Sequence, residues 1–117
     1  MDEQAVIRAL RQWLRKRGWR VRTQNRGADI VAKRGRETWI IEAKGAPQRP
    51  QQRRNYFLDA LGEILQRMDS CRTKYSVAFP YVEPYIRLWD KLPRCAKHRT
   101  RLTALFVDED FDVREVF

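Results

Sequence analysis

The chain has 117 residues, 43% of them hydrophobic and 11% aromatic. That suits one globular domain over residues 1–117 and excludes wholesale disorder and repeat architectures. The formal net charge is +10, and because five of the fifteen acids lie in the last ten positions, the preceding residues carry 24 basic against 10 acidic side chains. This is the balance of a polyanion binder, with nucleic acid the first candidate, although 19 arginines against 6 lysines also fit codon bias and solvated helix faces. No apolar run is long enough for a membrane span and the acidic, then amphipathic start lacks a signal-peptide core, so a cytoplasmic location without membrane attachment is expected. Cys71, Cys95 and the single His98 cannot assemble a disulfide framework or a zinc site, so any metal must be held by oxygen.

Val6, Ile7, Leu10, Trp13 and Leu14 form the stripe of an amphipathic helix from about Asp2 to Arg17, ended by Gly18. Trp19, Val21 and Thr23 alternate with polar residues as a strand closed by an Asn25-Arg26-Gly27 turn. Asp29 to Lys33 and Glu37 to Lys44 flank Arg34-Gly35-Arg36 and read as a hairpin. The stretch from Gly45 to Asn55, with two prolines and three arginines, reads as a solvated loop. Phe57, Ala60, Leu61, Ile64, Leu65 and Met68 make a second helical stripe, and Tyr75–Phe79 a strand stopped by Pro80. Pro84 suits the first turn of a helix carrying Tyr85, Leu88, Trp89 and Leu92; Leu102–Val107 reads as a strand buried on both faces; Phe111–Phe117 alternates as a last strand. The order α-β-β-β-α-β-α-β-β predicts an α/β fold with a central mixed sheet flanked by helices.

The chemistry gathers on the hairpin. A two-residue Gly35-Arg36 turn of type II′ pairs Arg34 with Glu37 and, counted back along both strands, sets Asp29 opposite Glu42, with Lys44 on the same face. A register shifted by one residue sends the two acids to opposite faces, and the turn chemistry opposes it. The other face, with Ile30, Ala32, Trp39, Ile41 and Ala43, is apolar and should anchor the hairpin against a helix. Two neighbouring carboxylates repel each other unless a cation lies between them, and oxygen ligands suit Mg²⁺ or Mn²⁺. A lysine beside them can stabilise charge that builds on a phosphoryl group, the requirement of metal-assisted phosphodiester hydrolysis. A solvated hairpin with a ladder of weak ion pairs has the same spacing.

Gly27-Ala-Asp-Ile-Val31 and, twelve residues after Asp29, the run Ile40-Ile-Glu-Ala-Lys-Gly45 resemble the PD-(D/E)xK nuclease superfamily, the restriction-endonuclease-like fold that includes Holliday junction resolvases and Mrr-like enzymes. Ala28 stands where the motif name has proline, and the αβββαβ order of that core covers roughly the first eighty residues. The resemblance implies that Asp29 and Glu42 bind metal, that the Ala43 carbonyl adds a ligand, and that Lys44 is the catalytic lysine. Glu3, on the first helix's stripe, resembles a third acid found in several members, and equally serves as a helix-dipole acid. Glu63 stands where related nucleases often carry glutamine, and as an i,i+4 neighbour of Arg67 it also suits a helix salt bridge.

Arg49, Arg53 and Arg54 follow the motif on the expected loop and could track a phosphate backbone or simply serve solubility. The tryptophans read as core and His98 as a surface residue. The expectation is a divalent-metal-dependent nuclease hydrolysing DNA phosphodiester bonds, with a catalytically silent nucleic-acid-binding module or an RNA-directed nuclease as alternatives. A homodimer contact through Phe111, Val113, Val116 and Phe117 is also expected, while the same alternation fits an edge strand packed on its own core.

Overall fold

A computed structural model describes residues 1–23 and 30–117. The turn expected at Asn25-Arg26-Gly27 and the acid expected at Asp29 lie outside the described residues. The first helix, α1 (Glu3–Lys16), starts where the Asp2 side chain accepts from the Ala5 amide at 2.8 Å, and ends at Gly18 with φ +85°. Three strands follow: β1 (Arg20–Thr23), β2 (Ile30–Arg34) and β3 (Glu37–Ala43). Then come a 3₁₀ turn (Pro50–Gln52), α2 (Arg53–Gln66), β4 (Lys74–Pro80), α3 (Glu83–Asp90), α4 (Arg94–Thr100), β5 (Thr103–Val107) and β6 (Val113–Val116).

These strands form one mixed sheet in chain order, with β1, β2 and β3 antiparallel, β3, β4 and β5 parallel, and β6 antiparallel on the far edge. Because parallel neighbours need crossovers, α2 and then α3 with α4 fill the two connections. Among the described residues no helix is long and apolar enough to cross a membrane.

Arg34 pairs with Glu37 and Ile30 with Ile41, the register that a two-residue turn predicts. Gly35 has φ +60° while Arg36 keeps a negative φ, which identifies the type II′ turn. Alternation along β2 and β3 then divides the core. Ile30, Ala32, Trp39, Ile41 and Ala43 pack with Val6, Ile7, Leu10 and Leu14 of α1. On the opposite face Phe57, Ala60 and Ile64 of α2 and Tyr85 and Trp89 of α3 meet Tyr75, Val77, Phe79 and Phe106.

Beneath α1 a polar seam crosses four strands. Trp39 Nε1 donates to Ser76 Oγ at 2.9 Å, Ser76 Oγ and Thr103 Oγ1 are 2.5 Å apart, and Thr103 Oγ1 donates to Glu115 Oε2 at 2.8 Å. Since Thr103 gives its only proton to the carboxylate, Ser76 must be the donor in the middle link, so every group is satisfied in one direction. Ser76→Ala should leave Trp39 Nε1 without an acceptor and take away the donor to Thr103 Oγ1, which keeps its bond to Glu115, and should cost about 2 kcal/mol in urea unfolding at unchanged slope. A loss below about 0.5 kcal/mol would show that water replaces the hydroxyl there.

Two sequence expectations need correction. The loop expected over 45–55 is shorter, because Pro50 pre-sets a helical φ and opens a turn that runs directly into α2, so Arg53 and Arg54 are helical residues. Arg94–Thr100 is a helix that periodicity did not show, since none of its residues is buried. The apolar set near the C-terminus divides: Val113 and Val116 pack partly against the chain's own core, while Phe111 and Phe117 are exposed. Trp19, Trp39 and Trp89 are buried and His98 is exposed, as expected.

Candidate active site

Glu42 and Lys44 project from the end of β3 onto the face covered by α2, because Ile41 and Ala43 take the α1 side. Glu42 is only 2% exposed. Its Oε2 lies 3.9 Å from Arg67 Nε, too far for a hydrogen bond, and is buried without a hydrogen-bond partner. Lys44 Nζ stands 3.6 Å from Glu63 Oε1. As α2 advances one turn from Glu63 to Arg67, the contacts move back along β3 from Lys44 to Glu42, so the helix runs antiparallel to the strand and lays two opposite charges over two. Glu63, expected either as a site residue or as Arg67's partner, therefore meets Lys44.

The segment after Lys44 is held from three directions. The Lys44 amide donates to the Ala78 carbonyl at 3.0 Å and the Ala46 amide to the Met1 carbonyl at 2.8 Å. Tyr85 of α3 donates its hydroxyl to the Gly45 carbonyl at 2.9 Å. Gly45 is glycine for a steric reason: a Cβ there would overlap the Glu3 backbone nitrogen and stand 2.5 Å from the Asp2 carbonyl carbon. This close approach sets the backbone of the half-buried Glu3 against Gly45, one residue past Lys44.

Burial pushes the Tyr85 phenol up from 10.0 to about 12, the neighbouring Tyr56 adding to the rise and Arg53 opposing it. The neutral phenol is thus favoured in the folded state, so this contribution to stability is complete below pH 10.0 and is lost as pH rises through about 12. Tyr85→Phe should flatten the alkaline fall in melting temperature over that interval and remove a phenol step near pH 12 from the near-ultraviolet titration. Identical profiles for the two proteins would contradict this.

Of the three arginines expected to contact phosphate, Arg49 and Arg54 are exposed, and Arg53 is half-buried with Nε unpartnered, on the side of Tyr85 that the phenol's electrostatics report. Among the described residues no three His, Cys, Asp or Glu side chains gather as a metal-binding group. The contacts missed by sequence reasoning are those of Arg67 and Tyr85. Arg67 did carry a signal: it stands three residues after Ile64 and seven after Ala60, a charge placed on the buried stripe of its helix.

No family model and no curated protein matches the chain. Solved structures with the same fold include two proteins. An XisH family protein from Nostoc punctiforme PCC 73102 has a TM-score of 0.68 at 19% identity, over 97% of this chain and 99% of that one. A fdxN element excision controlling factor protein from Anabaena variabilis has a TM-score of 0.66 at 18% identity, over 95% and 96%.

Proposed function

We propose that this chain is a divalent-metal-dependent nuclease hydrolysing DNA, built on a restriction-endonuclease-like αβββαβ core from α1 to β4. The observation that carries the reading is Glu42: a buried carboxylate with one oxygen left without a hydrogen-bond partner, next to a same-face lysine at the end of a central strand. An anionic oxygen kept from water and given no hydrogen bond, with Arg67 only at 3.9 Å, is costly, and a hard cation removes the cost. The donors fit Mg²⁺ or Mn²⁺: Glu42, the Ala43 carbonyl, Glu3, and Asp29, which is bonded to Ile30, whose partner Ile41 precedes Glu42. Such an ion supplies Lewis-acid polarisation and neutralises developing negative charge.

The chain's own groups do the rest. Lys44 offers a cation for phosphoryl oxygens, with Glu63 holding its ammonium in place. Arg49, Arg53 and Arg54 stand at the entry to α2 to take the phosphate backbone. The strongly basic balance supports a polyanionic substrate, and likeness in fold to a protein named for control of element excision supports DNA over RNA.

One observation favours a silent nucleic-acid-binding module instead: both cations over the site already face carboxylates, Lys44 toward Glu63 and Arg67 toward Glu42. Incubating the protein, with and without Mn²⁺ or Mg²⁺, with duplex, branched, flapped and single-stranded DNA and with RNA separates the readings. We expect metal-dependent cleavage of a DNA substrate, with Lys44→Ala lowering the rate at least about a hundredfold while nucleic-acid affinity stays within about twofold. No metal-dependent cleavage on the whole panel, or equal losses of rate and affinity, would sink the nuclease reading. Preferred cleavage of RNA would overturn the choice of substrate.

A further inference from the structure

A cleft of about 1080 Å³ opens at the N-terminal ends of β4 and β5, between the 68–73 connection and α4. Its lining begins at Met68, next to Arg67 in the chain, and includes none of Glu42, Lys44, Glu63 and Arg67. Its walls carry Arg72, Lys74, Arg94, Lys97, Arg99 and Arg101 against one acidic side chain, Asp69. Two of the six cations are engaged within the protein, Lys74 with Glu115 at 2.7 Å and Lys97 over the Trp89 ring at 4.5 Å. The four arginines are exposed, and among the described residues none is in an ion pair. Tyr75, on the cleft wall, is 4% exposed and its hydroxyl is buried without a hydrogen-bond partner. That hydroxyl faces the core and is closed to a ligand, so the four unpaired guanidiniums on the cleft walls are what ask for an anionic ligand.

We propose that this cleft binds single-stranded nucleic acid, separately from the acidic site. Its volume lies at the upper end of the roughly 300–1,000 Å³ of small-molecule sites, which leaves room for more than one nucleotide. One wall is the seven-residue α4, about 10 Å long, a length that matches only a few phosphates of one strand. Phe117, 79% exposed at the rim, presents a face on which a base can stack. The arginines take phosphates, and binding of this kind needs no metal and no cleavage, so the nuclease reading can fail while this one stands.

The test is fluorescence anisotropy of a labelled short oligothymidylate with EDTA present. Three proteins are compared: the unsubstituted chain, the triple variant Arg72→Glu, Arg94→Glu and Arg99→Glu, and a control of equal charge change, Arg8→Glu, Arg15→Glu and Arg36→Glu. The cleft triple should lose affinity at least about tenfold and flatten the slope of log K against log salt by about 2, whereas the control should change affinity less than about threefold. A second readout uses no charge reversal. Cys71 lies on the cleft and Cys95 is the only other cysteine, so in Cys95→Ser the oligonucleotide should protect Cys71 from iodoacetamide. Equal losses in both triples, competition by duplex as strong as by single strand, or no protection of Cys71 would overturn the proposal. Protection by AMP as effective per phosphate as by the oligonucleotide would do so too, in favour of a mononucleotide site.

Discussion

Gly45→Ala should melt about 4–15 °C below the unsubstituted chain. The added methyl would overlap the Glu3 nitrogen and crowd Asp2, with its Cα at 2.9 Å, and these are backbone atoms that no rotamer change can move aside. Either the first turn of α1 or the end of β3 must shift. The first option breaks the Ala46 to Met1 hydrogen bond and the Asp2 cap, and the second strains the Tyr85 to Gly45 link. Overpacking of this kind costs about 1–3 kcal/mol, and in a domain of this size each kcal/mol is worth several degrees. Gly62→Ala is the matched control: it lies exposed inside α2, with nothing within 4 Å of a Cβ, so it should gain about 0.5–1 kcal/mol from helix propensity. Opposite signs from the same chemical change would locate the effect in the approach of α1 to β3. Melting of Gly45→Ala within about 2 °C of the parent would refute it.

That approach is legible only in part from the chain. Period-3.6 and period-2 patterning assigns α1, the hairpin and the buried strands, because each of those elements buries one face or both. It fails at α4, whose residues Arg94–Thr100 are all at least partly exposed, so no apolar stripe exists to be read. The hairpin face with Glu42 and Lys44 follows from the turn, since a two-residue loop leaves one register. What α2 lays over that face does not follow. The expected stripe included Leu65, which is 50% exposed, while Phe57, Ala60 and Ile64 are buried. The buried line therefore runs through positions 57, 60 and 64 toward the partly exposed 67, and this rotation turns Glu63 and Arg67 toward β3. Packing rotation of this size lies within the width of an amphipathic stripe, so periodicity alone cannot resolve it. Gly45 is similar, because its need for a missing side chain arises from residues more than forty positions away.

The second large effect concerns Glu42. Glu42→Gln should melt at or above the temperature of the unsubstituted protein without metal, and should gain little when metal is added. The amide keeps the side chain's shape and removes a buried anionic charge whose nearest cation, Arg67, is 3.9 Å away and partly exposed, so the carboxylate's desolvation is incompletely offset. In the unsubstituted chain, Mg²⁺ or Mn²⁺ at a hundred times its dissociation constant should contribute about 2.7 kcal/mol, raising the melting temperature by about 10 °C or more. Glu42→Gln should retain less than half of that gain, and Lys44→Ala should keep nearly all of it, because an ammonium contributes no ligand to a cation. Cleavage should be lost in both. Calorimetric scans over a metal series, with EDTA as the reference, therefore separate holding the ion from acting on the phosphoryl group. An unsubstituted protein whose melting temperature ignores both metals, or a Glu42→Gln variant that gains as much as its parent, would leave the buried carboxylate as a structural partner of Arg67 alone.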